Sequence, residues 1–165
     1  MANTCYACFD GDNDIHYYRL MTAWHANGRF DFTFQDAHAI TQARDSSSEE
    51  TIKRSLRTRL NASDVFIVLV GRTTKNLYKF VRWEIEVALE KGIPIIVANL
   101  DGERKMNYNL CPPILRNELV VHVPFSPAIL NYAIRNWPAD HQSLTNKGVY
   151  GERVYGTGVY NQLGY

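Results

Sequence analysis

The chain has almost no net charge, few cysteines and no long apolar run, and each scarcity excludes something. A formal net charge of +1 over 165 residues gives no electrostatic argument for nucleic acid or an anionic membrane as a partner. No apolar stretch approaches the length that spans a bilayer, and the N-terminus lacks the basic-then-apolar order of a signal peptide. A cytoplasmic location is therefore expected. Three cysteines, an odd number, fit a reducing compartment. Cys5 and Cys8 form a CxxC, yet Thr4-Cys-Tyr-Ala-Cys-Phe9 reads as a strand, where residues three apart face opposite sides. With no second CxxC and no nearby histidine pattern, no metal site is implied, and the thiols read as buried and structural. No Gly-rich phosphate-binding turn stands at any strand–helix junction.

What is present describes an ordinary globular domain: 45% hydrophobic and 21% charged residues, in a chain long enough for a substantial core. Residues 4–9 read as a first strand running into the acidic loop Asp10-Gly-Asp-Asn-Asp14. That loop matches the start of a calcium-binding run but lacks its full length and terminal Glu. A helix follows over about 14–27, closed by Asn27-Gly28. Phe30-Asp-Phe-Thr-Phe-Gln35 alternates as a half-buried or edge strand does. After a polar stretch, Ser46-Ser-Ser-Glu-Glu50 offers a helix start, followed by Ile52, Leu56 and Leu60 at helical spacing. Lys53, Arg54, Arg57 and Arg59 on that helix read as a solvated basic face rather than an anion site.

Asp64-Val-Phe-Ile-Val-Leu-Val70, ending at Gly71, has the continuous apolar character of a central parallel strand. Asn76 to Gly92 reads as the next helix, with Thr73, Thr74 or Asn76 to cap it and Gly92 to stop it. Phe80, Val81, Trp83, Ile85, Val87, Ala88 and Leu89 form its apolar arc, and Lys79, Arg82, Glu86 and Glu90 lie opposite. Glu84 breaks the pattern. Its neighbours three and four positions away are Phe80, Val81, Val87 and Ala88, so a carboxyl points out of the buried face. Such a group either finds a salt bridge or the core edge, or serves chemistry with a pKa tuned by burial.

Ile93-Pro-Ile-Ile-Val-Ala98 and Leu119-Val-Val-His-Val123 are two further strands, and Pro127 opens a helix through about Trp137. Strand–helix alternation five times over predicts an α/β fold: a parallel five-stranded sheet with helices on both faces. Ligands of such folds bind beyond the C-terminal strand ends, where Phe9-Asp10, Gln35-Asp36, Gly71–Thr74 and Asn99–Asp101 all lie. The Gly- and Tyr-rich tail after residue 138 leaves three readings open: a short strand pair, an oligomer contact or a partly disordered arm. The domain is accordingly drawn as residues 1–138, with 139–165 an extension.

The core from Thr4 to about Trp137 resembles the TIR-like family of flavodoxin-like fold found in Thoeris anti-phage defence. The resemblance rests on a strand ending in Phe9-Asp10 with acidic residues following, and on an apolar strand closing on Gly71 before a Thr-rich loop. It also rests on Phe80-Val-Arg-Trp-Glu-Ile85, on the run from Leu89 to Ile96, and on Pro112-Pro-Ile-Leu115. Two positions depart from the family pattern: the aromatic four residues before the Glu is usually Trp and here is Phe80, and Tyr78 stands just upstream, where a small Ser or Cys is often found. The resemblance implies that Glu84 is catalytic in cleaving the nicotinamide–ribose bond of NAD, which is a substrate and not a bound cofactor. Phe9, Asp10 and Thr74 are expected to line the pocket, with Phe80 and Trp83 stacking against or walling it. A cyclic ADP-ribose-type product would activate a separate effector. A phage-derived trigger and a homo-oligomer are the other implied partners. The competing reading is a non-enzymatic assembly module, which a Glu84 sealed by an arginine salt bridge would favour. A flavodoxin is disfavoured, because the acidic first turn would repel the phosphate of FMN.

Overall fold

The computed structural model describes residues 3–28, 32–35 and 48–165. Along the chain come β1 (Thr4–Cys8), α1 (Ile15–Ala26), β2 (Thr33–Gln35), α2 (Glu49–Asn61), β3 (Val65–Val70), α3 (Val81–Lys91) and β4 (Ile95–Asn99). They are followed by β5 (Val121–Pro124), α4 (Pro127–Asn146), β6 (Arg153–Val154) and α5 (Thr157–Gln162). The strands form a single sheet in the order β2-β1-β3-β4-β5-β6, parallel at every pairing. This is the flavodoxin-like arrangement, with six strands where five were expected.

Alternation along β1 distributes the core between two layers. Tyr6 and Cys8 face a layer built by Ile52, Leu56 and Leu60 of α2 and by Val81, Ile85 and Ala88 of α3. Cys5 faces the other, where Met21 of α1 meets Ile129, Leu130, Ala133, Ile134 and Trp137 of α4. The two thiols of the CxxC therefore lie on opposite faces, as expected, and all three cysteines are free and buried. β3, the continuous apolar run, is buried at every residue. Its place between β1 and β4, covered on both faces, is what requires that composition.

Ser48 caps α2, its hydroxyl accepting from the Thr51 N–H at 3.2 Å, and Glu49 and Glu50 occupy the first turn where the helix dipole favours them. α3 stops at Gly92, which takes φ 69° while the Ile93 N–H reaches back to the Ala88 carbonyl at 3.0 Å. The start of α3 departs from expectation. A short 3₁₀ turn occupies Thr74–Asn76, and the helix begins only at Val81, with no side-chain cap from Phe80. The threonines are committed elsewhere, as described below.

Two further corrections concern the C-terminal part. α4 does not end at Trp137 but runs through Pro138 to Asn146. Trp137 is 2% exposed and Leu144 packs on the same core, so packing on both sides of the proline outweighs the lost helix bond. The tail adds a sixth strand, Arg153 pairing with Val121 and Val154 with His122. Tyr160 of α5 is buried in the α1/α4 layer. Residues 30–31 of the predicted strand Phe30–Gln35, and residues 36–47 of the polar stretch, lie outside the described residues.

Candidate functional site

The chain leaves β1 for β2 on one side and returns to β3 on the other, so strand order reverses between β1 and β3. In folds of this kind ligands bind outside the C-terminal strand ends at such a reversal. Asp10 sits at the end of β1 and is 2% exposed. Its carboxylate accepts from the Asp12 N–H at 3.0 Å, the Asn13 N–H at 3.2 Å and the Asn13 Nδ2 at 2.8 Å. A fourth bond comes from the Thr73 hydroxyl, on the loop after β3. Burial alone would raise the Asp10 pKa, but the bonds from Asn13, Thr73 and Asp12 together hold it below the usual carboxylate range.

Thr74 plays a different part from Thr73. Its hydroxyl accepts from the Gly71 N–H at 2.9 Å and donates to the Leu69 carbonyl at 3.2 Å, which shapes the turn leaving β3. It is 1% exposed. Gly71 is required by proximity: a Cβ there would lie 2.7 Å from Asp14 Oδ2. Asp14 precedes α1 without capping it. Burial first and the Asp10 charge second push its pKa up, with His16 acting in the opposite direction.

Glu84 lies in the first turn of α3 and is 4% exposed. Its backbone N–H donates to the Phe80 carbonyl at 2.8 Å, and its side chain is coupled to Tyr6 and Cys8 of β1. Among the described residues no lysine or arginine forms an ion pair with it. Burial pushes its pKa up to about 8; the Tyr6 hydroxyl offsets this in part, though its geometry falls short of a full hydrogen bond. The carboxyl is thus a desolvated acid, not half of a salt bridge.

The other expected site residues divide. Phe80 is 7% exposed and belongs to the same core layer as the Glu84 helix, with Lys79 Nζ 5.5 Å from its ring centre. Trp83 is partly buried on that layer and faces α2. Phe9 packs on the opposite layer, its ring stacked on Tyr18 at 4.9 Å. The structure therefore groups Glu84, Phe80 and Trp83 on one element, ties Asp10 to the β3 loop, and sends Phe9 to the other face.

Tyr6 was missed by sequence reasoning, and Thr73 was read only as a candidate helix cap and as part of the Gly71–Thr74 strand end. A signal existed for Tyr6: it alternates with Cys8 on one face of a buried strand, and a phenol there needs a polar neighbour. Nothing local singles out Thr73 over Thr74, because its partner is 63 positions away.

Among the described residues no group of three or more His, Cys, Asp or Glu could hold a metal ion. Nor is any helix among them long and apolar enough to cross a membrane. Strand order and helices on both faces of a parallel sheet define a flavodoxin-like α/β domain. The family model described as Thoeris protein ThsB, TIR-like domain, matches residues 6–105, more than half of the chain. The protein belongs to that family.

Proposed function

We propose that this protein is an NAD-cleaving enzyme of anti-phage defence in which Glu84 acts on the nicotinamide-bearing ribose. The observation that carries the reading is the carboxyl itself, 4% exposed, set against β1 and without a basic partner among the described residues. A group of that kind destabilises the fold unless it serves something else. The assembly module was to be favoured by an arginine salt bridge sealing Glu84, and no such bridge supports it. Membership of the Thoeris family supports the defence role.

The chemistry follows from charge. The nicotinamide ring of NAD is cationic, and a cation beside a desolvated carboxyl lowers its pKa, so substrate binding ionises Glu84. The bond between ribose C1′ and the ring nitrogen then breaks, its electron pair leaving with nicotinamide, which becomes neutral. The sugar is left as an oxocarbenium-like cation, which the Glu84 carboxylate stabilises in a water-poor setting. Capture by water, with loss of a proton, gives ADP-ribose. Capture by a ribose hydroxyl or an adenine nitrogen closes a ring, and a cyclic ADP-ribose-type signal for a separate effector is the product we favour. In this proposal Phe80 and Trp83 wall the pocket and Asp10 and Thr74 line it further, while Phe9, packed in the opposite layer, is left out of it. NAD is the substrate and no cofactor enters the scheme. A homo-oligomer and a phage-derived trigger complete the proposal.

The test is NAD consumption, with products resolved by mass, for wild type and Glu84→Gln in extracts of infected and uninfected cells. Loss of an NAD-derived product in folded Glu84→Gln is the expected result. Equal inertness of both proteins in infected cells would sink the enzyme.

A further inference from the structure

The basic face of α2 does not simply look out into solvent; part of it closes on Trp83. A groove of about 580 Å³ is lined by Glu49, Glu50, Lys53, Arg54 and Arg57 of α2 and by Trp83 of α3. Lys53 Nζ lies 5.3 Å and the Arg57 guanidinium 5.5 Å from the centre of the Trp83 ring. Glu49 is neutralised by Lys53 at 3.1 Å, whereas Arg54 and Arg57 have no carboxylate partner among the described residues. Both arginines are exposed. The volume falls within the range of small-molecule sites.

With Glu49 paired to Lys53, the lining leaves Arg54 and Arg57 against the single carboxylate of Glu50, beside an indole that Arg57 already approaches, a net positive surface poorly matched to a neutral or apolar ligand. Guanidinium forks match phosphate oxygens in geometry as well as charge, and an indole offers a flat surface to a base or sugar. Trp83 also immediately precedes Glu84, so the groove opens about 100° around α3 from the buried carboxyl. We infer that this groove binds the diphosphate of a nucleotide, with the phosphates on Arg54 and Arg57 and the nucleoside against Trp83. The choice of a nucleotide over a simple anion rests on the NAD-cleaving reading; the arginine–tryptophan arrangement stands without it.

The experiment is calorimetric titration of the full chain carrying Glu84→Gln, so that binding is measured apart from turnover, with ADP, inorganic pyrophosphate and adenosine as separate probes. ADP is expected to bind saturably at one site, pyrophosphate more weakly and adenosine not at all. Arg57→Glu and Arg54→Glu should each weaken ADP by about tenfold or more, the loss of a charge-assisted phosphate contact. Trp83→Leu should weaken ADP and leave pyrophosphate unchanged. Because both arginines are exposed, their reversal leaves the fold intact, which circular dichroism checks. No saturation by millimolar ADP, or ADP affinity unchanged in Arg57→Glu, overturns the site. Pyrophosphate binding as tightly as ADP and indifferent to Trp83→Leu overturns the nucleotide and leaves an anion site only. ADP binding as expected, in a protein whose wild type turns over no NAD, keeps the groove and removes the catalytic reading. NAD turnover with an unaltered KM in Arg57→Glu does the reverse.

Discussion

The Thr73 hydroxyl donates to the Asp10 carboxylate and so joins the ends of β1 and β3 at the point where strand order reverses. Asn13 reinforces the link, its Nδ2 lying 2.8 Å from Asp10 and 3.2 Å from the Thr73 hydroxyl. Beyond the apolar core between them, the two strand ends are thus tied by a charge-assisted network.

Thr73→Val should destabilise the fold by about 1.5–3 kcal/mol at neutral pH, the range for a hydrogen bond to a charged group. In an Asp10→Asn background the same substitution should lose most of that effect. Urea melts of the four proteins measure the coupling, and strictly additive effects would show that the bond contributes nothing of its own. Because the Asp10 pKa is lowered on folding, its contribution is present above the ordinary carboxylate range. It is lost as pH falls through the folded pKa.

Glu84 behaves in the opposite sense. Its pKa is raised from 4.5 to about 8, so stability is fully present below pH 4.5 and is lost as pH rises through 8. Glu84→Gln removes that loss. The variant should match wild type near pH 4.5 and exceed it by a few kcal/mol at pH 9, at roughly 1.4 kcal/mol per tenfold change in proton affinity. Parallel stability curves across that window would mean that the carboxyl is not desolvated.

His122 supplies a second limb, on the acid side. It is fully buried, neither ring nitrogen has a partner among the described residues, and burial pushes its pKa down from 6.5 to about 4. Its neutral form is held without penalty above pH 6.5, and stability declines as pH falls from there through 4. His122→Leu should flatten the acid limb and leave stability at pH 7 unchanged or raised, since two orphaned nitrogens disappear. An unaltered acid limb in denaturant melts between pH 4 and 7 would place the sensitivity elsewhere.

Tyr160 anchors the tail, 1% exposed, with the Arg104 guanidinium 4.0 Å over its ring and its hydroxyl without a partner among the described residues. Tyr160→Ala should cost about 3–5 kcal/mol, as for other large aromatic truncations. Tyr160→Phe should cost next to nothing. A large loss in the Phe variant would reveal a partner for the hydroxyl.

Much of this arrangement was legible in the chain because it is written in short-range periodicity. The unbroken apolar run of β3 announces a strand covered on both sides, and Gly92 announces where α3 stops. Glu84 stands out because three- and four-residue spacing surrounds it with apolar neighbours. Those features depend on residues a few positions apart, which any reader of the sequence can see. Arg153–Val154 is different: two exposed residues have no pattern of their own and become a strand only because β5 offers them an edge.

The sequence by itself determined the α/β alternation, the opposite facing of Cys5 and Cys8, and the placing of one carboxyl among the apolar residues of α3. Each follows from backbone geometry that repeats every two or 3.6 residues. Only the tertiary structure decided that Thr73, and not Thr74, holds Asp10, that Phe9 faces away from Glu84, and that the tail completes the sheet. Those outcomes depend on which groups meet across long stretches of chain, 63 positions for Thr73 and Asp10, and neighbouring threonines become distinguishable only when the partner is in place.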